Sequence, residues 1–245
     1  MPRILTILTF MAALACGGLG IGAAPQSDPA AVFESAFSDR DFDLSADPAR
    51  PEWATAPRIL AGKAYDSTPV PGPPMEVRSR WTRDNLYLMY SCPYQELNLK
   101  PDPTPAVETP RLWTWDVAEA FIGSDFDRIG FYKEFQVSPQ GEWVDLAIDR
   151  DNQKTQGGMA WNSGYTVRAR IDAQARVWYG EMKIPIESIN GPSGKPATAK
   201  TGSEMRINFY RLQGPGPQRA GIAWQPTGQP SYHVPEAFGR ILFAR

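Results

Sequence analysis

From residue 75 onward the chain alternates apolar and polar residues with a period of two. "MEVRSRW" (75–81) and "LYLMYSC" (86–92) flank "TRDN"; "FYKEFQV" (131–137) and "EWVDLAID" (142–149) flank "SPQG"; "YTVRARID" (165–172) and "VWYGEMKI" (177–184) flank "AQAR". Such alternation sends successive side chains to opposite faces of a strand. The intervening residues suit tight turns, so each pair predicts a hairpin. "EMRINFYRL" (204–212) adds a further strand, and residues 117–122 of "LWTWDVAEAFIGSDF" another. No segment longer than about ten residues holds a helical period.

With 24 prolines and 21 glycines punctuating short strands, the pattern predicts an all-β fold: a two-sheet antiparallel β-sandwich, jelly-roll or immunoglobulin-like, with few short helices. "STPVPGPP" (67–74) and "LKPDPTPAVETP" (99–110) read as loops, the second long enough to border a site. Residues 24–41 read as a flexible N-terminal segment. A short helix is expected at "SDPAAVFESAF", capped by Asp28 with Pro29 in its first turn. The folded domain is expected to run from residue 42 to 245.

Residues 4–23, "ILTILTFMAALACGGLGIGA", follow Arg3 as a continuous apolar stretch with small residues toward its end. Residues 1–23 therefore read as a signal peptide, implying export to the periplasm or the exterior. The alternative, a retained anchor, fits poorly because the glycines lower hydrophobicity where a membrane span needs it. "ALAC" resembles a lipoprotein signal with lipid attached at Cys16; ordinary cleavage after Ala23 is the other route. Cleavage leaves Cys92 as the one cysteine, so stability must come from a buried core rather than a disulfide.

The 25 basic against 27 acidic residues leave no charge excess that would advertise a nucleic-acid partner. The sequence lacks CxxC, paired histidines, a Gly-rich phosphate loop and GxSxG. Acids in "GSDFD" and "DLAIDRD" are candidates for a structural calcium ion, without EF-hand spacing.

Two tryptophans, Trp113 and Trp115, precede the strand at 117–122, and Glu119 alternates in register with Val117 and Phe121. A carboxylate among apolar neighbours is costly unless it accepts hydrogen bonds, from a partner such as Arg168 or Arg206 or from a ligand. An indole beside an acid is also the pairing that seats a sugar: the ring takes the apolar pyranose face and the carboxylate takes hydroxyls. Each tryptophan has the alternative task of sealing the end of the sandwich.

In order along the chain, "PEWATAPRI" (51–59), "SRWTRDNLYLMYSC" (79–92), "LWTWDVAEAFI" (112–122), "YKEFQVSPQGEWVDLAID" (132–149), "WYGEMKIPIESI" (178–189), "RINFYRL" (206–212) and "YHVPEAFGRILF" (232–243) resemble carbohydrate-binding module family 9 and its bacterial single-domain relatives. The resemblance implies a β-sandwich, often attached to extracellular glycoside hydrolases, that clamps the end of a sugar chain between two aromatic rings. The first aromatic of that family lies six residues before a hydroxyl-binding glutamate, a spacing that Trp113 and Glu119 reproduce. Trp115 then packs. A polar strand residue contacting the sugar falls at Glu134 or Gln136. The place of the second clamp aromatic holds His233, with Tyr232 beside it and Trp224 upstream.

Residues and resemblance together imply a non-catalytic, exported carbohydrate-binding domain supporting polysaccharide breakdown, with a mono- or oligosaccharide, or a polysaccharide chain end, as ligand. Its binding residues are Trp113, Glu119, Glu134, Gln136, Trp224 and His233. Two alternatives remain. One is a haem-binding electron-transfer domain with His233 and Met89 or Met205 as axial ligands. The other is glycoside hydrolysis, for which Glu119, Glu134, Glu142, Asp145 and Glu181 offer carboxylates.

Overall fold

The computed structural model describes residues 31–152, 154–156 and 161–245. The signal peptide, Cys16 and the cap at Asp28 lie outside the described residues. The strands are β1 Val32–Phe37, β2 Arg58–Ala61, β3 Met75–Trp81, β4 Asn85–Pro93, β5 Val117–Gly123, β6 Phe131–Val137 and β7 Trp143–Asp149. They continue with β8 Lys154–Gln156, β9 Thr166–Asp172, β10 Val177–Pro185, β11 Glu204–Gln213, β12 Ala220–Ala223 and β13 Gly239–Ala244. One α-helix, α1 at Pro51–Ala54, and a few 3-10 turns complete the described secondary structure.

These thirteen strands join through one hydrogen-bonded ladder in the order β8-β7-β6-β5-β11-β13-β1-β3-β4-β10-β9, with β12 added beside β11 and β2 beside β3. All three predicted hairpins form: β3 pairs antiparallel with β4, β6 with β7 and β9 with β10. In β3 the burial alternates residue by residue, as its sequence pattern requires. Gly141 closes the "SPQG" turn at φ 84°, a left-handed conformation that favours glycine, and its N–H donates to the Ser138 carbonyl at 3.0 Å.

Three expectations are corrected. Residues 32–37 are neither flexible nor helical, because β1 inserts between β13 and β3 and buries Phe33 and Ser35. The folded region therefore includes residues well before 42. Both of those pairings are parallel, so the fold is not purely antiparallel. That insertion also joins the strands into one nearly closed sheet rather than two separate ones, and β6 packs across the interior against β9 and β10.

The interior holds the main core, with Phe33, Leu88, Phe135, Trp178, Phe209 and Phe243 among its side chains. A second cluster lies on the opposite face of β5, β6, β7 and β11, where Val117, Phe121, Tyr132, Leu146 and Tyr210 pack with Leu112 and Phe238 from connecting segments. Strand β5 is consequently buried on both faces along its whole length. This second apolar face positions the site.

Candidate functional site

The chain reaches β5 through a 3-10 turn at Leu112–Thr114. Arg111 enters it in the left-handed region at φ 58°, and its carbonyl accepts from both the N–H and the hydroxyl of Thr114, at 3.0 and 2.8 Å. Leu112 anchors the turn in the second cluster, which rotates the next side chain outward. Trp113 is accordingly 38% exposed. Arg219 fixes the turn from the far side: its Nη2 donates to the carbonyls of Trp113 and Trp115, and its Nη1 to that of Gly214.

Along β5, Glu119 stands opposite Gln136 of β6 and Tyr210 of β11, and Glu134 follows on the same face of β6, opposite Phe121. The register thus gathers Glu119, Glu134 and Gln136, each at most 3% exposed. Gln136 Nε2 donates to Glu134 Oε1. Glu134 Oε2 and Gln136 Oε1 are buried with no hydrogen-bond partner among the described residues. Neither Arg168 nor Arg206 serves Glu119: Arg168 is exposed on β9, and Arg206 donates to the carbonyls of Asp125 and Ile129.

Burial, reinforced by the nearby Glu134 charge and opposed by Arg219, pushes the Glu119 carboxyl well above the usual range. Burial likewise raises Glu134 to about 8, against the opposing Gln136 hydrogen bond. Burial thus favours the protonated form of both carboxyls, which lets the pair combine donor and acceptor capacity on this face.

The segment 231–234 crosses this face. Tyr232 stacks on Tyr210 with centroids 4.3 Å apart and planes at 8°, and Tyr210 Oη donates to the Tyr232 carbonyl at 3.0 Å. His233 lies 5.3 Å from the Phe121 ring, and its Nδ1 shares a 2.8 Å hydrogen bond with Tyr132 Oη. Burial first, then Arg150, lowers its pKa, so the imidazole is neutral at pH 7. His233 thus joins the face that carries the acids.

Trp224 does not. Its ring lies against Phe33 and Phe209, 6.3 and 5.8 Å between centroids, and packs on the interior core. The spacing before "HVPEAFG" could not reveal this, because β12 decides which side the ring takes. Sequence reasoning also missed Arg219, Tyr210 and Tyr132, which hold the rim and the 231–234 segment. Only cross-strand register exposes those roles.

The haem ligand set does not assemble. Met89 packs beside Trp53 and Tyr87, and Met205 lies in the interior core, away from the Phe121–Tyr132 pair that holds His233. In the calcium candidates, Asp125 caps its own turn through the N–H groups of Asp127 and Arg128, and Asp151 pairs with Arg128 at 3.2 Å. Among the described residues no group of three or more metal-ligating side chains forms. Glu181 is structural in its contacts, accepting from the N–H groups of Ser45 and Ala46 and the indole of Trp53. Cys92 is free and fully buried, which raises its thiol to about 12.

Comparisons with solved structures show that this nearly closed all-β sheet is similar in fold to family 9 carbohydrate-binding modules. A Bacteroides uniformis protein assigned as carbohydrate-binding superposes with a TM-score of 0.66 at 14% identity, over 86% of this chain and 98% of that one. Two structures of a family 9 module from Caldicellulosiruptor kristjanssonii, in complex with cellotriose and with glucose, each give 0.58 at 14% identity. They cover 87% and 86% of this chain, and 94% and 96% of theirs.

By sequence, an "Extracellular protein" of Arthroderma benhamiae is 23% identical over 54% of this chain; the match spans 62% of that relative's length. A "UPF0462 protein C4orf33 homolog" of Danio rerio is 25% identical over 71% of this chain and 83% of its own. No protein-family model matches the chain. Among the described residues no helix is long and apolar enough to cross a membrane.

Proposed function

We propose that this chain is an exported, non-catalytic sugar-binding domain that seats one pyranose on Trp113 while Glu119, Glu134 and Gln136 exchange hydrogen bonds with its hydroxyls. One observation carries the reading: a buried carboxyl, Glu134, and a buried amide, Gln136, retain unused hydrogen-bonding capacity beside Glu119, on the strand that the exposed Trp113 turn leads into. Buried polar groups are rarely left unpaired, and vicinal hydroxyls are ligands that donate and accept at such spacing. The sugars held by the Caldicellulosiruptor modules of the same fold point to the same chemical class. His233, supported by Tyr132, offers a second ring and polar edge; Trp224 is left out of the site.

Two carboxyls on one face are also part of a glycosidase's equipment. Acid and base roles call for two carboxyls in contrasting surroundings, whereas Glu119 and Glu134 share one buried face, each at most 3% exposed, which favours binding over hydrolysis. Export rests on the apolar stretch at 4–23, and service to a glycoside hydrolase in polysaccharide breakdown rests on the family resemblance.

One ring stack and a few hydrogen bonds give a net few kcal/mol, so affinity in the micromolar to millimolar range is expected. Calorimetric titration with mono- and oligosaccharides tests the reading, using Trp113→Ala and Glu119→Gln beside wild type. Binding that weakens in both variants supports it. A wild type indifferent to every sugar rejects it.

A further inference from the structure

A separate cleft of about 640 Å³ opens between the Pro-rich loop before β3, the segment after β4, the β9–β10 turn and the end of β11. Its size is that of a small-molecule site. Tyr94, Gln95, Arg176 and Gln213 line it together with several prolines. Arg176 occupies the left-handed region at φ 53°, a conformation that non-glycine residues enter at some cost. That backbone brings its guanidinium to 5.8 Å from the Tyr94 ring centroid, with Nε donating to the Tyr94 carbonyl at 3.4 Å.

The cleft and the Trp113 shelf share a wall. Gly214 and Pro215 line the cleft. The Gly214 carbonyl accepts from the same Arg219 that grips the Trp113 and Trp115 carbonyls. The Gly214 N–H donates to Asp116, one residue after Trp115, at 2.7 Å. Arg219 and Asp116 thus tie the segment that carries Trp113 to the Gly214 edge of the cleft.

We propose that the cleft is a further subsite for the sugar units that follow the one on Trp113, making the preferred ligand a chain rather than a single sugar. This rests on the sugar-binding reading of the Trp113 site. The amides of Gln95 and Gln213 and the fork of Arg176 are planar groups that address adjacent hydroxyls. Tyr94 and the prolines offer apolar surface to the C–H faces of a pyranose. Arg176 and Glu96 together leave the cleft's charge balanced, which suits a neutral polysaccharide better than a polyanion.

The test is titration calorimetry of the full protein with glucose, xylose, and the cello- and xylo-oligosaccharides up to the hexasaccharides. The comparison is wild type against Arg176→Gly/Gln213→Ala. Glycine suits the left-handed backbone at 176, so the double variant keeps its turn. The expected result is about tenfold tighter binding of a hexasaccharide than of its monosaccharide, abolished in the variant while monosaccharide affinity is unchanged. Equal affinity at every chain length, or a length advantage that survives in the variant, overturns the subsite and leaves the Trp113 site standing. Absence of binding to every sugar overturns both.

Discussion

Replacing Glu134 by glutamine separates a ligand-binding acid from a structural one. Glu134 is 3% exposed, and its Oε2 has no partner among the described residues. Burial raises its carboxyl from 4.5 to about 8 in the folded state. The unfolded chain releases this proton near pH 4.5 and the folded chain does not, so the stability linked to it is full below pH 4.5. It is lost as pH rises toward about 8. Within that window the slope is about 1.4 kcal/mol per pH unit.

Glu134→Gln imitates the protonated form and removes this slope. Between about pH 5 and pH 7 the two proteins should diverge by about 3 kcal/mol in favour of the variant, equivalent to about 6–12 °C in Tm for a domain of this size. Thermal melts at matched ionic strength across about pH 5 to 8 measure it, with sugar titration at pH 7 alongside. A variant that is more stable yet binds sugar more weakly is the signature of an acid retained for a ligand. Parallel pH–stability curves, or a variant less stable than wild type at pH 7, would refute the reasoning.

Trp113→Ala should weaken sugar binding by about 1–3 kcal/mol, seen by calorimetry, while shifting stability by under about 1 kcal/mol because the ring is 38% exposed. Arg219→Ala frees the carbonyls of Gly214, Trp113 and Trp115. It should cost about 1–3 kcal/mol in urea unfolding and weaken binding through loss of the fixed turn. Gly221→Ala puts a Cβ 1.7 Å from Tyr232 Oη, so Tyr232 should leave its stack on Tyr210, at about 1–3 kcal/mol and with altered near-UV circular dichroism.

The period-two pattern determined the all-β class, the three hairpins and their turns, because alternation is a local property and a turn needs only its own few residues. The six-residue interval from Trp113 to Glu119 was readable for the same reason, since both lie on one short stretch. The parallel insertion of β1 between β13 and β3 was not readable: "VFESAF" satisfies short-helix and strand patterns alike, and its partners lie far along the chain. The contrast between His233 and Trp224 was also settled by tertiary structure, as each ring's side depends on β11, β12 and the packing around Phe121 or Phe33. Above all, sequence alone could place Glu119 among apolar neighbours but could not supply the register that sets it beside Glu134 and Gln136. Strand pairing between distant segments creates that contact, and the burial of both faces of β5 gives it its electrostatic character.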